Sequence, residues 1–77
     1  MPRREAISVS AQLARNLSRL RERSRMTQEQ LAEASDLSWR YVQTLEAGSL
    51  ANPSLRVLSG LKRALCCTWD ELLGGVP

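Results

Sequence analysis

Cys66 and Cys67 are adjacent thiols of a type that could support redox or metal chemistry, and this 77-residue sequence has no other cysteine and no histidine. Adjacent cysteines form a disulfide only with backbone strain, and two thiolates cannot supply the four ligands of a zinc site. The lack of histidine excludes Cys–His and Ser–His nucleophile pairs and histidine metal sites. We therefore interpret both cysteines as structural residues, with a redox pair as the alternative, and we expect no enzyme activity, metal or cofactor.

The charged residues are distributed unevenly along the chain, whose net charge is +3. Residues 1–25 contain seven arginines against two glutamates, a balance of +5, whereas residues 26–77 contain four basic against six acidic residues, a balance of −2. A basic leading segment on a nearly neutral body favours an anionic partner such as DNA, and it also fits a solvated helix face. The charge pattern alone leaves both interpretations open.

The length allows one domain with a small core, because chains of this size bury only about 60 % of their unfolded surface. A second copy of the same chain is a common source of additional buried area. The sequence has no apolar run of the ~18–20 residues that a transmembrane helix needs, and its N-terminus lacks the apolar run of a signal peptide. We therefore expect a cytoplasmic protein without a membrane partner.

Apolar residues at helical spacing predict short helices throughout the chain. The first helix is predicted from four apolar residues at steps of four, four and three: Val9, Leu13, Leu17 and Leu20. Ser8 or Ser10 is positioned to cap its start. Residues 1–7 are basic and are expected to form a flexible arm, which leaves residues 8–77 as a single domain.

Capping residues predict the next two helices. Thr27 to Gln30 form a T-x-x-Q capping box at the start of the second helix. This helix should end near Asp36, because aspartate tolerates the left-handed conformation. Ser38 should cap a third helix, with Val42 and Leu45 facing the core.

Proline and glycine predict the remaining boundaries. Gly48 should end the third helix, and Asn52 followed by Pro53 should start the fourth. A second capping box, Thr68 to Glu71, opens a fifth helix that ends at Gly74–Gly75. Five short helices joined by tight turns predict an all-α protein, a compact five-helix bundle.

The run from Met26 to Leu55, MTQEQLAEASDLSWRYVQTLEAGSLANPSL, places two short helices around a three-residue turn. This is the arrangement that presents one helix to the major groove of DNA. The run resembles the Cro/phage-repressor helix-turn-helix family, often called XRE-like, and the resemblance extends from Leu13 to Leu73. It implies a lambda-repressor-like DNA-binding domain. Within that family, controller proteins of restriction–modification systems are similarly short and often carry an aromatic residue where Tyr41 stands.

The sequence departs from the family pattern at three places. The family usually has glycine where Asp36 and Cys66 stand, so Cys66 is expected in a strained backbone conformation. The loop from Ser49 to Ser54 carries no charge, whereas the corresponding loop of the family is often basic. We therefore expect weaker contacts between this loop and phosphate.

The resemblance implies two sets of DNA-contacting residues. The residues at base-contacting positions are Trp39, Arg40, Gln43 and Thr44. The residues at backbone-contacting positions are Gln28, Tyr41, Ser49 and Asn52. Four of these have a structural alternative: Trp39 as a core residue, Gln28 as a residue of the capping turn, Tyr41 as a packing residue and Asn52 as a helix cap. The alternative for Gln43 is an exposed glutamine that makes no DNA contact.

The resemblance also implies a structural ion pair between Arg21 in the first helix and Glu46 in the third. A partly buried pair of this kind would orient the third helix without touching DNA. Arg3 and Arg4 are candidates for an arm that reaches a groove, and disorder is the alternative for them.

The implied function is a transcriptional regulator that binds a near-palindromic operator as a homodimer, with its third helix in the major groove. The apolar residues predicted to form the dimer interface are Leu65, Cys67, Trp69, Leu72, Leu73 and Val76. The alternative is a protein-interaction module, an antitoxin or a regulatory subunit, because residues 27–48 have one arginine against four acids. Neither interpretation includes a small-molecule effector.

Overall fold

The computed structural model describes residues 2–50 and 53–75, with side chains from Val9 onward. The described chain contains helices and no strand, which confirms the prediction of an all-α fold. The five helices are α1 (Pro2–Arg23), α2 (Gln28–Ala34), α3 (Trp39–Glu46), α4 (Leu55–Leu65) and α5 (Trp69–Leu73). None of these helices has a stretch both long and apolar enough to cross a membrane.

Three predicted N-caps are confirmed by their hydrogen bonds. The Thr27 and Thr68 hydroxyls accept from the backbone N–H of Gln30 and Glu71, and both reciprocal side-chain bonds complete the capping boxes. The Ser38 hydroxyl accepts from the backbone N–H of Tyr41. The starts of α2, α3 and α5 are therefore fixed by residues within one turn of each start.

Two predicted helix starts are wrong. α1 begins at Pro2, so Ser8 and Ser10 lie within the helix and residues 2–7 share its helical backbone. Proline suits the first helical position because its missing N–H would be unpaired there anyway. α4 begins at Leu55, where the Ser54 hydroxyl accepts from the N–H of Val57 at 3.2 Å. The cap is thus Ser54, and Asn52 lies outside the described residues.

The core is formed by one apolar face from each helix. Its buried side chains are Leu13, Leu17, Leu20, Leu31, Ala32, Val42, Leu45, Leu61, Leu65, Cys67 and Leu72. Val9, the first residue of the predicted apolar face of α1, is only half-buried. Val42 and Leu45 face inward as predicted, which turns the opposite side of α3 away from the core.

Four helices end with the same hydrogen-bond pattern, in which a left-handed residue follows the last turn. At the end of α1, Arg25 has φ 58°, and Met26 N donates to Arg21 O at 3.1 Å. Asp36 and Cys66 occupy the equivalent position with φ 62° and 51°, which confirms the strained backbone expected at Cys66. Of the four residues at this position, only Gly48 is a glycine. The left-handed conformation of Arg25 was not predicted, because arginine gives no signal for it.

Candidate nucleic-acid interface

The exposed side of α3 is the first component of the candidate interface. Trp39 is 50 % exposed, and Arg40 and Gln43 are also exposed, while Val42 and Leu45 anchor the helix to the core. The exposure of Trp39 excludes the alternative that it is a core residue. The structure therefore brings a tryptophan, an arginine and a glutamine together on an outward-facing helix.

Thr44 and Tyr41 lie at the margins of this surface. The Thr44 hydroxyl donates to the backbone carbonyl of Arg40 at 2.9 Å, so its hydrogen is already used within the helix. The methyl group of Thr44 is the part that can add an apolar contact. Tyr41 is half-buried and packs against the core, as its structural alternative predicts.

Gln28 is half-buried, and its side chain bonds within the protein. Its amide nitrogen donates to Glu46 Oε1 at 3.1 Å, which connects the start of α2 to the end of α3. A carboxamide nitrogen carries two hydrogens, and one remains for a second acceptor. Gln28 therefore braces α3 in the free protein and still has a donor for an anion.

The Arg21–Glu46 ion pair lies at the junction of α1, α2 and α3. Arg21 Nε is 2.7 Å from Glu46 Oε2, and a second guanidinium nitrogen is 3.0 Å from Oε1. Their side chains are only 16 % and 5 % exposed. A third nitrogen of Arg21 donates to the carbonyl of Met26 at 2.8 Å. Arg21 thereby links the end of α1 to α3, in the contact that the resemblance implied, and to the turn that precedes α2.

Glu46 is ionised despite its burial. Burial by itself would raise the pKa of Glu46, but hydrogen bonds from Arg21, Gln28 and Ser18, together with the Arg21 charge, bring the pKa below its ordinary value. The hydrogen bond that Arg21 donates to Glu46 raises the pKa of Arg21. One of the four acids between residues 27 and 48 is therefore neutralised internally and adds little negative potential to the surface.

The remaining acids of this segment stay at the surface. Glu29, Glu33 and Asp36 belong to α2 and the turn after it, and all three are exposed. The loop after α3 begins with Gly48, at φ 76°, and exposed Ser49, which places the Ser49 hydroxyl close to the end of α3. Asn52 cannot be placed, because it lies outside the described residues.

The predicted dimer interface is wrong for half of its residues. Leu65, Cys67 and Leu72 are buried within the core of the single chain, so they offer no surface to a partner. They are buried because α5 folds back against α1 and inserts Leu72 among the α1 leucines. Of the other predicted residues, Trp69 is 39 % exposed with Lys62 Nζ 5.5 Å from its ring centroid. Leu73 is half-buried, and Val76 lies outside the described residues.

Asn16 and Ser18 are two important side chains that the sequence reasoning missed. Asn16 is fully buried, and its amide donates to the carbonyls of Leu72 and Gly74 at 2.9 and 2.8 Å. The Ser18 hydroxyl donates to Glu46 Oε1 at 3.0 Å. A signal for Asn16 exists, because it lies three residues after Leu13 on the same apolar face.

The two cysteines differ in environment. Cys67 packs in the core, and burial raises the pKa of its thiol, which disfavours the reactive thiolate. Cys66 is exposed at the left-handed position that joins α4 to α5. Their positions at this helix junction agree with a structural interpretation.

Comparison with known families gives one match. A family model described as a helix-turn-helix domain matches residues 12–73, from the second half of α1 to the end of α5. Neither a curated protein nor a solved structure matches the chain significantly.

Proposed function

The chain belongs to the helix-turn-helix domain family, and we propose that it is a sequence-specific regulator that binds double-stranded DNA with α3 in the major groove. The observation that carries this proposal is the exposure of Trp39, Arg40 and Gln43 on a helix whose other side is fixed to the core. A helix held in this way can enter a groove without losing its packing.

Each exposed residue has a role that its chemistry allows. Arg40 can donate two hydrogen bonds to guanine O6 and N7, and Gln43 can pair with adenine. Trp39 can donate one N–H or pack against a thymine methyl. The second amide hydrogen of Gln28 is proposed to bond a phosphate, which would connect the DNA backbone to Glu46.

The test is a binding titration of Arg40→Ala and Gln28→Ala against the operator and its single-base variants at two salt concentrations. Arg40→Ala should weaken the cognate site by ~1–3 kcal/mol and relax preference at one base pair. Gln28→Ala should weaken all sequences about equally, because a phosphate contact carries no base information. The matched control is Arg63→Ala, which removes an exposed arginine of α4. A uniform loss for Arg40→Ala would instead assign Arg40 to the backbone.

The regulator is further proposed to bind a near-palindromic operator as a homodimer. Trp69 and the exposed part of Leu73 are the predicted interface residues that remain at the described surface. In a two-fold dimer the two copies of α3 would lie ~34–36 Å apart, one turn of DNA. Analytical ultracentrifugation at micromolar concentration, with and without operator, should show the dimer. A monomer under both conditions contradicts this part of the proposal.

A protein-interaction module is the second candidate, and the exposed acids Glu29, Glu33 and Asp36 favour it. These residues are unsuited to contact with phosphate. A folded chain that binds no duplex, and whose Arg40→Ala and Gln28→Ala variants change nothing, would support this second function.

A further inference from the structure

An open groove lies beside α3, between that helix and the middle of α1. Ala11 and Ala14 of α1 form one side, and Ala47 and Gly48 at the end of α3 form the other. A side chain built on Gly48 would come within 3.8 Å of the Ala11 backbone, so the two elements approach closely at the groove floor. Because Ala47 and Gly48 line it, the groove lies next to the end of α3, the helix proposed to enter DNA.

Two exposed arginines line this groove, separated by one helical turn of α1. Arg15 makes no ion pair with any described side chain, and Arg19 donates one bond to Asn16 Oδ1 at 3.0 Å. A guanidinium has five donors, so both arginines retain capacity for an anion. Glu22 also lines the groove, whereas Glu46 at its edge is neutralised by Arg21.

We propose that Arg15 and Arg19 bind the DNA sugar–phosphate backbone that flanks the groove occupied by α3. The groove floor consists of alanine and glycine, so a backbone strand can approach closely, and the arginines supply charge complementary to phosphate. This inference rests on the proposed function and extends the contact surface from α2 and α3 to α1. It also gives the basic first part of the chain a specific partner.

The experiment compares two double variants with the same loss of charge. Arg15→Gln/Arg19→Gln removes the α1 pair, and Arg56→Gln/Arg63→Gln removes two exposed arginines of α4 that line a separate cleft beside the α2–α3 turn. Duplex affinity is measured at two salt concentrations fourfold apart, and circular dichroism melting verifies that each variant is folded. Loss of two phosphate contacts should reduce the salt-dependent loss of affinity about twelvefold over this range. The α4 variant should retain the wild-type dependence.

A second measurement modifies the DNA and compares the wild-type protein with the α1 double variant. Neutral methylphosphonates are placed singly along the operator backbone, so that each removes the charge of one phosphate. At the phosphates that Arg15 and Arg19 contact, this replacement should weaken wild-type binding and have no further effect on the α1 double variant. Equal salt dependence in both double variants, or an α1 variant that stays sensitive at every position that weakens the wild type, overturns the α1 contact alone. A wild-type chain that binds no duplex overturns the proposed function and this inference with it.

Discussion

α1 carries two polar clusters that stabilise different parts of the fold. The charged cluster joins Ser18 and Arg21 to Glu46 of α3, with Gln28 of α2 as an additional donor. The neutral cluster centres on Asn16, whose amide donates to two backbone carbonyls at the end of α5. Glu46 and Asn16 are both buried, but only Glu46 carries a charge of its own. The one charged side chain that bonds to Asn16 is the exposed Arg19.

The two clusters differ in the substitutions that they should tolerate. The carboxylate of Glu46 accepts hydrogen bonds from three residues, which together compensate its buried charge. Loss of any one of these donors should therefore destabilise Glu46. The amide hydrogens of Asn16 match the two carbonyls that end α5, and its oxygen accepts from Gln12 and from the exposed Arg19. The charged cluster orients the proposed recognition helix, and the neutral cluster holds the terminal helix on the core.

Asn16→Asp should have the largest effect on stability. One carboxylate oxygen would keep the donors Gln12 and Arg19, but the other would face the carbonyl oxygens of Leu72 and Gly74 without a donor. We therefore expect the free energy of unfolding to fall by about 4 kcal/mol at neutral pH. Chemical denaturation measures this loss. Asn16→Ala is the control, because it removes the same hydrogen bonds without adding charge and should cost less. Equal losses would show that charge is tolerated in the neutral cluster.

Glu46→Ala should have the next largest effect, because it leaves the Arg21 guanidinium buried without its carboxylate. We expect a loss of about 3 kcal/mol, within the range of broken buried pairs. The control is Arg23→Gln, which breaks the exposed Arg23–Glu71 pair and should change the melting temperature much less. Unchanged melting together with an altered operator preference would mean that Glu46 faces DNA.

The charged cluster should also make stability depend on pH. Since the folded-state pKa of Glu46 lies below its ordinary value of 4.5, its contribution is complete above that pH and is lost as the pH falls through the folded-state pKa. Denaturation of wild type and Glu46→Gln from pH 7 to 3 should show a smaller acid loss in the variant. Glu71 has a lowered pKa through the Thr68 backbone and Arg23, so some acid loss remains in both. Parallel curves would contradict the assignment to Glu46.

Ser18→Ala should have the smallest effect, since it removes one of several donors to Glu46. We expect about 1 kcal/mol, typical of a single hydrogen bond. Ser24→Ala, at an exposed position after α1, is the matched control and should be close to neutral. A loss as large as that of Glu46→Ala would mean that the charged cluster cannot reorganise around a missing donor.

The sequence predicted the local features of the candidate site well. Ser38 and Thr27 identify helix starts because their bonds close within three residues, and the period of Val42 and Leu45 identifies the inner side of α3. Asp36 was expected in the turn for the same local reason. Boundaries failed at Ser8 and Asn52, where another residue, Pro2 or Ser54, satisfies the helix start.

The sequence by itself determined the helical class, most of the caps and the outward position of Trp39, Arg40 and Gln43, because these depend on residues within one or two turns. Only the tertiary structure decided which of the C-terminal apolar residues lie in the core of the single chain and which polar residues are buried. Leu72 enters the core, and Asn16 bonds to the carbonyl of a residue 56 positions later. Gln28 reaches Glu46 across 18 residues. Such contacts depend on how whole helices pack, and no short sequence window contains both partners.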